Sequence, residues 1–195
     1  MWTRYRSLTV RCALRTAVAL LALLQSACTA SPPSEAAPQV GDVAPDFTAR
    51  TITGEGPATT PTSLAELRGK TVVLAFFPRA RTPGCTTQMK AYRDRYAQLF
   101  RGGRDVVLLG VSTDKAQSLQ EWAQEEKFPF AFVSDPEGEL GAKYGALERG
   151  DLFADRLLYV IAPDGKVSYV AAPFRQNSEE AYTELAAAIE RAARG

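Results

Sequence analysis

One cysteine stands in the part of the chain that has the composition of a folded domain, and its neighbours suit thiol chemistry. Cys85 lies in the stretch FFPRARTPGCTTQMKAYRD, just after Arg79 and Arg81. The reactive form of a cysteine is the thiolate, which nearby arginines and the start of a helix favour. The stretch therefore indicates a nucleophile, although a free cysteine is also often no more than a small buried apolar residue.

The residues around this cysteine have the pattern of a strand followed by a helix. The run 70–77 is β-branched and aromatic, which predicts a strand buried on both faces and ending at Pro78. Thr82 is a candidate N-cap with proline after it, so we predict a helix from there to the glycine pair 102–103. Cys85 would then lie in the first helical turn, where unpaired N–H groups and the helix dipole favour an anion.

An apolar stripe continues along the same predicted helix at helical spacing. It consists of Met89, Tyr92, Tyr96 and Leu99, which we interpret as core residues. Cys85 would sit where this stripe meets solvent, and Arg93 would lie on nearly the same face as a structural charge.

The rest of the domain alternates strands and helices before a terminal hairpin. We predict strands at 105–113 and 130–135, helices at 115–127, 138–145 and 178–194, a hairpin over 156–172 and an edge hairpin near 46–56. This order indicates an α/β fold with a mixed central sheet flanked by helices.

The N-terminus has the features of an export signal. Four arginines without an acid precede a short apolar run that closes on small residues, which is typical of a secretory signal peptide. The sequence LLQSAC resembles the lipobox of bacterial lipoproteins, which implies acylation at Cys28, although Gln25 departs from the usual aliphatic residue. Ordinary cleavage near Ala30 is the alternative.

We therefore expect a lipoprotein-type signal at 1–27, a Pro/Ser/Ala-rich tether at 28–40 and a domain at 41–195. The expected location is exported and membrane-anchored, facing the periplasm or the cell exterior.

Composition excludes several classes of function. The chain has no histidine, which removes most zinc and copper sites and every His-based triad, so we expect no metal. Its 23 basic and 22 acidic residues form no block of like charge, so we expect no nucleic-acid partner. Cys12 and Cys28 lie in the signal region, which leaves Cys85 without an intrachain disulfide partner.

These residues are similar to those of the peroxiredoxin family. The spacing Pro78-x-x-x-Thr82-x-x-Cys85 resembles its active-site signature, and FFPRARTPGCT with the later YRD is similar to the bacterioferritin-comigratory (Q-type) subfamily. The likeness covers nearly all of 41–170 through GDVAPDF, SLAELRGKTVVL, GVSTDK, FVSDPEGELGAKYG and DRLLYVIAPDGKV. It implies a thioredoxin-like fold and thiol-dependent reduction of hydrogen peroxide and organic hydroperoxides, without a cofactor.

The resemblance also implies roles for four residues. Cys85 would attack one peroxide oxygen, and Thr82 would hydrogen-bond the peroxide and the sulfur. Pro78 would shield the thiolate from water, and Arg156 would bring its guanidinium to the thiolate. Such fixed donors suit the reaction because cleavage of the O–O bond develops negative charge on oxygen and sulfur.

The chain departs from the subfamily at two positions. Many members have a resolving cysteine five residues after the first, where this chain has Lys90, and the predicted helix 115–127 has none. We therefore expect a one-cysteine mechanism in which an external thiol or thioredoxin-like protein reduces the sulfenic acid. Arg81 is the second departure, and we expect it to strengthen the positive field near Cys85. Relatives are often monomeric, and a monomer is expected here.

Two other functions fit part of the pattern. A thiol-disulfide oxidoreductase would need a Cys-x-x-Cys pair, but Thr82 stands where its first cysteine would be. A membrane-tethered peroxide sensor or binding domain would be oxidised at Cys85 without turnover.

Overall fold

The computed structural model describes residues 36–147 and 151–194. The strands are β1 (Thr48–Ala49), β2 (Thr51–Thr53), β3 (Gly56–Pro57), β4 (Thr62–Ser63), β5 (Thr71–Phe76), β6 (Val106–Ser112), β7 (Ala131–Ser134), β8 (Leu158–Ile161) and β9 (Val167–Ala171). The helices are α1 (Pro83–Asp94), α2 (Tyr96–Leu99), α3 (Ala116–Glu126), α4 (Glu139–Lys143) and α5 (Glu179–Ala192).

Seven strands form one mixed sheet in the order β3-β2-β7-β6-β5-β8-β9. The central strands β5, β6 and β7 are parallel, whereas β8 and β2 join them antiparallel. Parallel neighbours need crossover helices, and α1 and α3 lie in the chain where β5–β6 and β6–β7 need them. The predicted mixed sheet flanked by helices is confirmed, as are the terminal hairpin β8–β9 and the N-terminal edge hairpin β2–β3.

Strand β5 divides the apolar core between the two faces of the sheet. Every residue of β5 is buried, as its continuous apolar run predicts. Val73 and Ala75 belong to the core on the face that α1, α3 and α5 cover, while Val72, Leu74 and Phe76 belong to the core on the opposite face. This alternation follows from the period of two in a strand. Cys85 belongs to the first of these cores.

The helix predicted from residue 82 to the glycine pair is two helices. Helix α1 ends at Asp94, Arg95 leaves helical geometry with ψ near 10°, and the four-residue α2 follows. The guanidinium of Arg95 donates to Glu179 at 2.8 Å and lies 4.6 Å from the ring centroid of Tyr182, both on α5. These tertiary contacts accompany a break that helix propensity alone does not predict.

The described chain begins inside the segment predicted as a tether. Pro38 is buried, and the N–H of Gly41 donates to the carbonyl of Val167 on β9 at 2.8 Å. The segment is thus held against the domain at Pro38 and Gly41. The predicted signal and the rest of the tether, including Cys28, lie outside the described residues. Within 36–147 and 151–194, no helix is long and apolar enough to cross a membrane.

Candidate active site

A short loop after β5 positions the start of α1. Arg81 has a positive φ of 65°, and Thr82 returns to extended geometry before Pro83 opens the helix. Thr82 is the N-cap residue of α1, as predicted, but its hydroxyl makes no capping hydrogen bond and instead donates to the carbonyl of Arg79 at 2.9 Å. The loop and helix place Cys85 at the third position of α1, as predicted.

The thiol of Cys85 is buried rather than at the edge of the apolar stripe. Its exposed fraction is 0%, and it packs in the core with Met89 and Tyr92. The expectation that it meets solvent is wrong, because the side chain packs in the core and Arg156 lies beside its sulfur. Pro78, in the loop after β5, is half-buried.

Arg156 lies beside the buried thiol. Its Nη2 donates to the sulfur of Cys85 at 3.4 Å, and its Nη1 donates to Oε1 of Gln88, one turn further along α1. The guanidinium thereby contacts two partners through two of its nitrogens, which arginine can do and lysine cannot. Arg156 stands just before β8, the strand that pairs with β5.

Two polar residues extend this arrangement, and neither was predicted as part of a site. Gln88 is fully buried and donates through Nε2 to the hydroxyl of Tyr92 at 2.9 Å. Burial raises the pKa of Tyr92, so its hydroxyl stays protonated. A signal for Gln88 exists in the sequence, since a polar residue three positions after Cys85 interrupts the apolar face of α1.

A carboxylate just after β6 anchors the loop in front of Cys85. Oδ2 of Asp114 accepts the N–H of Ala80 at 2.7 Å and the hydroxyl of Ser112 at 3.0 Å. In the sequence, Asp114 is only part of the GVSTDK segment of family likeness, and no role was predicted for it. The contact fixes the loop between Pro78 and Thr82 to the end of the parallel sheet.

The other arginines near Cys85 in the sequence face elsewhere. The guanidinium of Arg79 lies over the ring of Phe153, with 5.5 Å to its centroid. Arg81 Nη2 donates to Oε1 of Glu125 at 3.0 Å, so the expectation that Arg81 strengthens the field at Cys85 is wrong. The left-handed backbone of Arg81 belongs to a loop that places this side chain at α3.

The second half of α1 is also joined to α3. Lys90, at the position of the resolving cysteine in relatives, forms an ion pair with Glu126 at 3.1 Å. Arg93 binds the same carboxylate at 3.3 Å and Asp94 at 2.8 Å, as expected for a structural charge.

The space over the first turn of α1 is narrow. A Cβ added to Gly84 would lie 3.3 Å from Nη2 of Arg156 and 3.2 Å from Nε2 of Gln176. Both side chains therefore approach the helix where only glycine leaves room.

Comparison with known proteins identifies the family of the chain. Residues 40–170 match the model of the AhpC/TSA family. The chain is 31% identical over 146 residues to Peroxiredoxin Bcp of Escherichia coli K12, covering 72% of this chain and 89% of that protein. It is 35% identical over 133 residues to the chloroplastic Peroxiredoxin Q of Oryza sativa subsp. japonica, covering 67% of this chain and 57% of that protein.

A solved structure is similar as well. The crystal structure of peroxidoxin BcpB from Mycobacterium tuberculosis superposes with a TM-score of 0.67 at 28% identity, covering 79% of this chain and 97% of that one. The chain therefore belongs to the AhpC/TSA family, and within it to the bacterioferritin-comigratory (Q) type of peroxiredoxin, a class of thiol-dependent peroxidases. The predicted thioredoxin-like fold is confirmed.

Proposed function

We propose that this peroxiredoxin reduces hydrogen peroxide and organic hydroperoxides through Cys85 alone, by a one-cysteine mechanism. The observation that carries the proposal is the guanidinium of Arg156, 3.4 Å from a buried sulfur in the first turn of a helix. A charged donor fixed in a dry site stabilises a thiolate and the charge that develops on peroxide oxygens.

The chemistry follows from the positions of the side chains. The thiolate of Cys85 attacks the terminal oxygen of the hydroperoxide, so an S–O bond forms while the O–O bond breaks. Arg156 holds the sulfur and the attacked oxygen. The Thr82 hydroxyl, which donates to Arg79 here, turns toward the peroxide when substrate binds. Pro78 limits the access of water to the sulfur.

The resulting sulfenic acid needs a second molecule. Cys85 is the free cysteine of the described residues, and Lys90 occupies the resolving position in an ion pair with Glu126. An external thiol or a thioredoxin-like protein would therefore reduce the sulfenic acid and complete the cycle. Without a reductant, further oxidation to sulfinic acid would follow.

Stopped-flow mixing of the reduced protein with equimolar hydrogen peroxide tests the first step. A sulfenic-acid trap and mass spectrometry should find Cys85 modified orders of magnitude faster than a free thiol, and Cys85→Ser should abolish the reaction. Oxidation no faster than that of an ordinary cysteine would refute the peroxidase proposal.

The one-cysteine mechanism is tested by repeated turnover. Thiol or thioredoxin should sustain peroxide consumption, while excess peroxide alone should drive Cys85 to sulfinic acid. Lys90→Cys is a useful comparison, because it supplies a thiol at the resolving position, about 140° around the helix from Cys85. A wild-type sulfenate that persists unchanged under excess peroxide would contradict the expected hyperoxidation.

We further propose that the domain is exported, monomeric and tethered. In this arrangement 1–27 is the signal, Cys28 carries the lipid, 28–40 is the tether and 41–195 faces the periplasm or cell exterior. The support is the lipobox-like LLQSAC and the Pro/Ser/Ala-rich segment after it. Expression in a bacterial host with labelled palmitate should label the wild type and not Cys28→Ala, and sedimentation of the delipidated protein should give the mass of one chain. Equal labelling of both would exclude Cys28 as the acylated residue.

A further inference from the structure

A glutamine from the segment between β9 and α5 reaches the first turn of α1 at Gly84, the residue before Cys85. Nε2 of Gln176 and Nη2 of Arg156 lie 3.2 Å and 3.3 Å from the same point, the position that a Cβ on Gly84 would occupy. Two nitrogen donors thus converge over the first turn of α1. Arg156 also contacts the sulfur, whereas Gln176 approaches from the segment that follows β9.

The backbone, not the side chain, of Gln176 holds this segment in place. Its carbonyl accepts the hydroxyl of Tyr182 at 2.9 Å, and the nearby N–H of Phe174 donates to the carbonyl of Arg156 at 2.8 Å. Among the described residues, the side-chain amide of Gln176 has no hydrogen-bond partner. It is half-buried, so its donor is available to a molecule that enters the space over Gly84.

The reaction needs such a donor. When Cys85 attacks the terminal oxygen of a hydroperoxide, sulfur is oxidised to the sulfenic acid, which keeps the proton of that oxygen. The O–O bond breaks, and the second oxygen departs with the electron pair as hydroxide or alkoxide and then takes a proton from water. Arg156 contacts Cys85 and Gln88 and is proposed to hold the attacked oxygen, so a donor from another residue would serve the leaving oxygen.

We propose that Gln176 is a further catalytic residue, whose amide N–H donates to the leaving oxygen of the hydroperoxide. This inference rests on the proposed reaction at Cys85. It assigns a part in that reaction to a residue that is distant in sequence from the PxxxTxxC motif. The amide stabilises the charge that appears on oxygen only as the bond breaks, so it acts on the rate of the chemical step.

The dependence of the rate on the leaving group tests this role. Rate constants for oxidation of Cys85 are measured by stopped flow with hydrogen peroxide, tert-butyl hydroperoxide and peracetic acid. Hydroxide and alkoxide are poor leaving groups that need stabilisation, whereas acetate is a good one that needs little. In Gln176→Ala the rate constant for oxidation of Cys85 should therefore fall at least about tenfold with the first two substrates and much less with peracetic acid.

Two further variants sharpen the experiment. Gln176→Glu has the same shape but offers no N–H and repels the developing charge, so its loss with hydrogen peroxide should exceed that of Gln176→Ala. Asn177→Ala changes the exposed neighbour in the same segment and should react like the wild type with all three oxidants.

The outcomes separate this inference from the peroxidase proposal. Slow oxidation of the wild-type protein by all three reagents would refute the peroxidase proposal itself. If the wild type is fast, the role of Gln176 is overturned by an equal loss with all three substrates, which indicates a structural effect, or by no loss at all.

Discussion

Arg156 and Cys85 are 71 residues apart in the chain, yet Nη2 of the arginine lies 3.4 Å from the buried sulfur. The antiparallel pairing of β8 with β5 creates this proximity, because it brings the start of β8 beside the loop that follows β5. The sheet therefore assembles the site, and the motif around Cys85 supplies only one side of it.

Replacing Arg156 should slow the oxidation of Cys85 by hydrogen peroxide. We expect Arg156→Ala to lose about 10²–10³-fold in stopped-flow rate, the range for loss of one fixed donor to a developing anion. Arg156→Lys should recover only part of the rate, since an ammonium cannot hold Gln88 and the sulfur together. Arg93→Ala, which removes a cation bound to Asp94 and Glu126, is the control and should react at the wild-type rate. Equal losses in the Arg156 and Arg93 variants would contradict the assignment.

The hydroxyl of Tyr92 should contribute to stability through Gln88. In Tyr92→Phe the buried Nε2 of Gln88 loses its acceptor, which should lower the free energy of unfolding by about 1–3 kcal/mol. Urea denaturation followed by the fluorescence of Trp122 measures the change. Tyr96→Phe is the matched control because the Tyr96 hydroxyl has no hydrogen bond among the described residues, and it should change stability by less than about 0.5 kcal/mol. If Tyr92→Phe has the same free energy of unfolding as the wild type, Gln88 has found another hydrogen-bond partner.

How far the sequence predicts this protein depends on the range of the interactions. Strand β5 and the start of α1 follow from local patterns, a long apolar run and a proline at the first helical position. Arg156 was assigned only through family resemblance, because no local pattern links it to Cys85.

The wrong and missing assignments have the same physical origin. The direction of the Arg81 side chain depends on its left-handed backbone and on the position of α3. The residue types around Arg81 predict neither of these. The break at Arg95 depends on contacts with α5. Gln88 contacts Arg156, and Gln176 approaches Gly84, only because the fold brings distant parts of the chain together.

A methyl group at Gly84 should separate activity from stability. Gly84→Ala raises the intrinsic helix propensity of α1 by about 1 kcal/mol, so stability should not decrease. The new Cβ would lie 3.2–3.3 Å from nitrogens of Gln176 and Arg156, closer than an ordinary contact, and should displace both. We expect Cys85 oxidation to slow by at least about tenfold while the urea midpoint stays at or above the wild-type value. Thr87→Ala, at an exposed position of α1, should leave the rate unchanged.

A buried hydroxyl in β5 should be dispensable for folding. Thr71 Oγ1 is buried and, among the described residues, has no hydrogen-bond partner. Thr71→Val should therefore raise the free energy of unfolding by about 1 kcal/mol. Ser112→Ala is the contrasting variant, because the equally buried Ser112 donates to Asp114, and we expect a loss of about 1 kcal/mol or more. If Thr71→Val destabilises the protein, the Thr71 hydroxyl has a hydrogen-bond partner in solution.

Buried tyrosines should make the protein sensitive to alkali. Burial raises the pKa of Tyr182 to about 12, above its ordinary value of 10.0. Burial also raises the pKa values of Tyr92, Tyr144, Tyr159 and Tyr169. The unfolded chain therefore loses these protons first, so stability is complete below pH 10 and decreases as pH rises toward the folded pKa values. Each such tyrosine contributes up to about 1.4 kcal/mol per pH unit in that window. Urea denaturation under reducing conditions at pH 8, 10, 11 and 12 should show this decrease, and Tyr182→Phe should reduce its slope between pH 10 and 12. A stability that stays constant from pH 8 to 12 would show that these hydroxyls ionise as easily in the folded protein as in the unfolded chain.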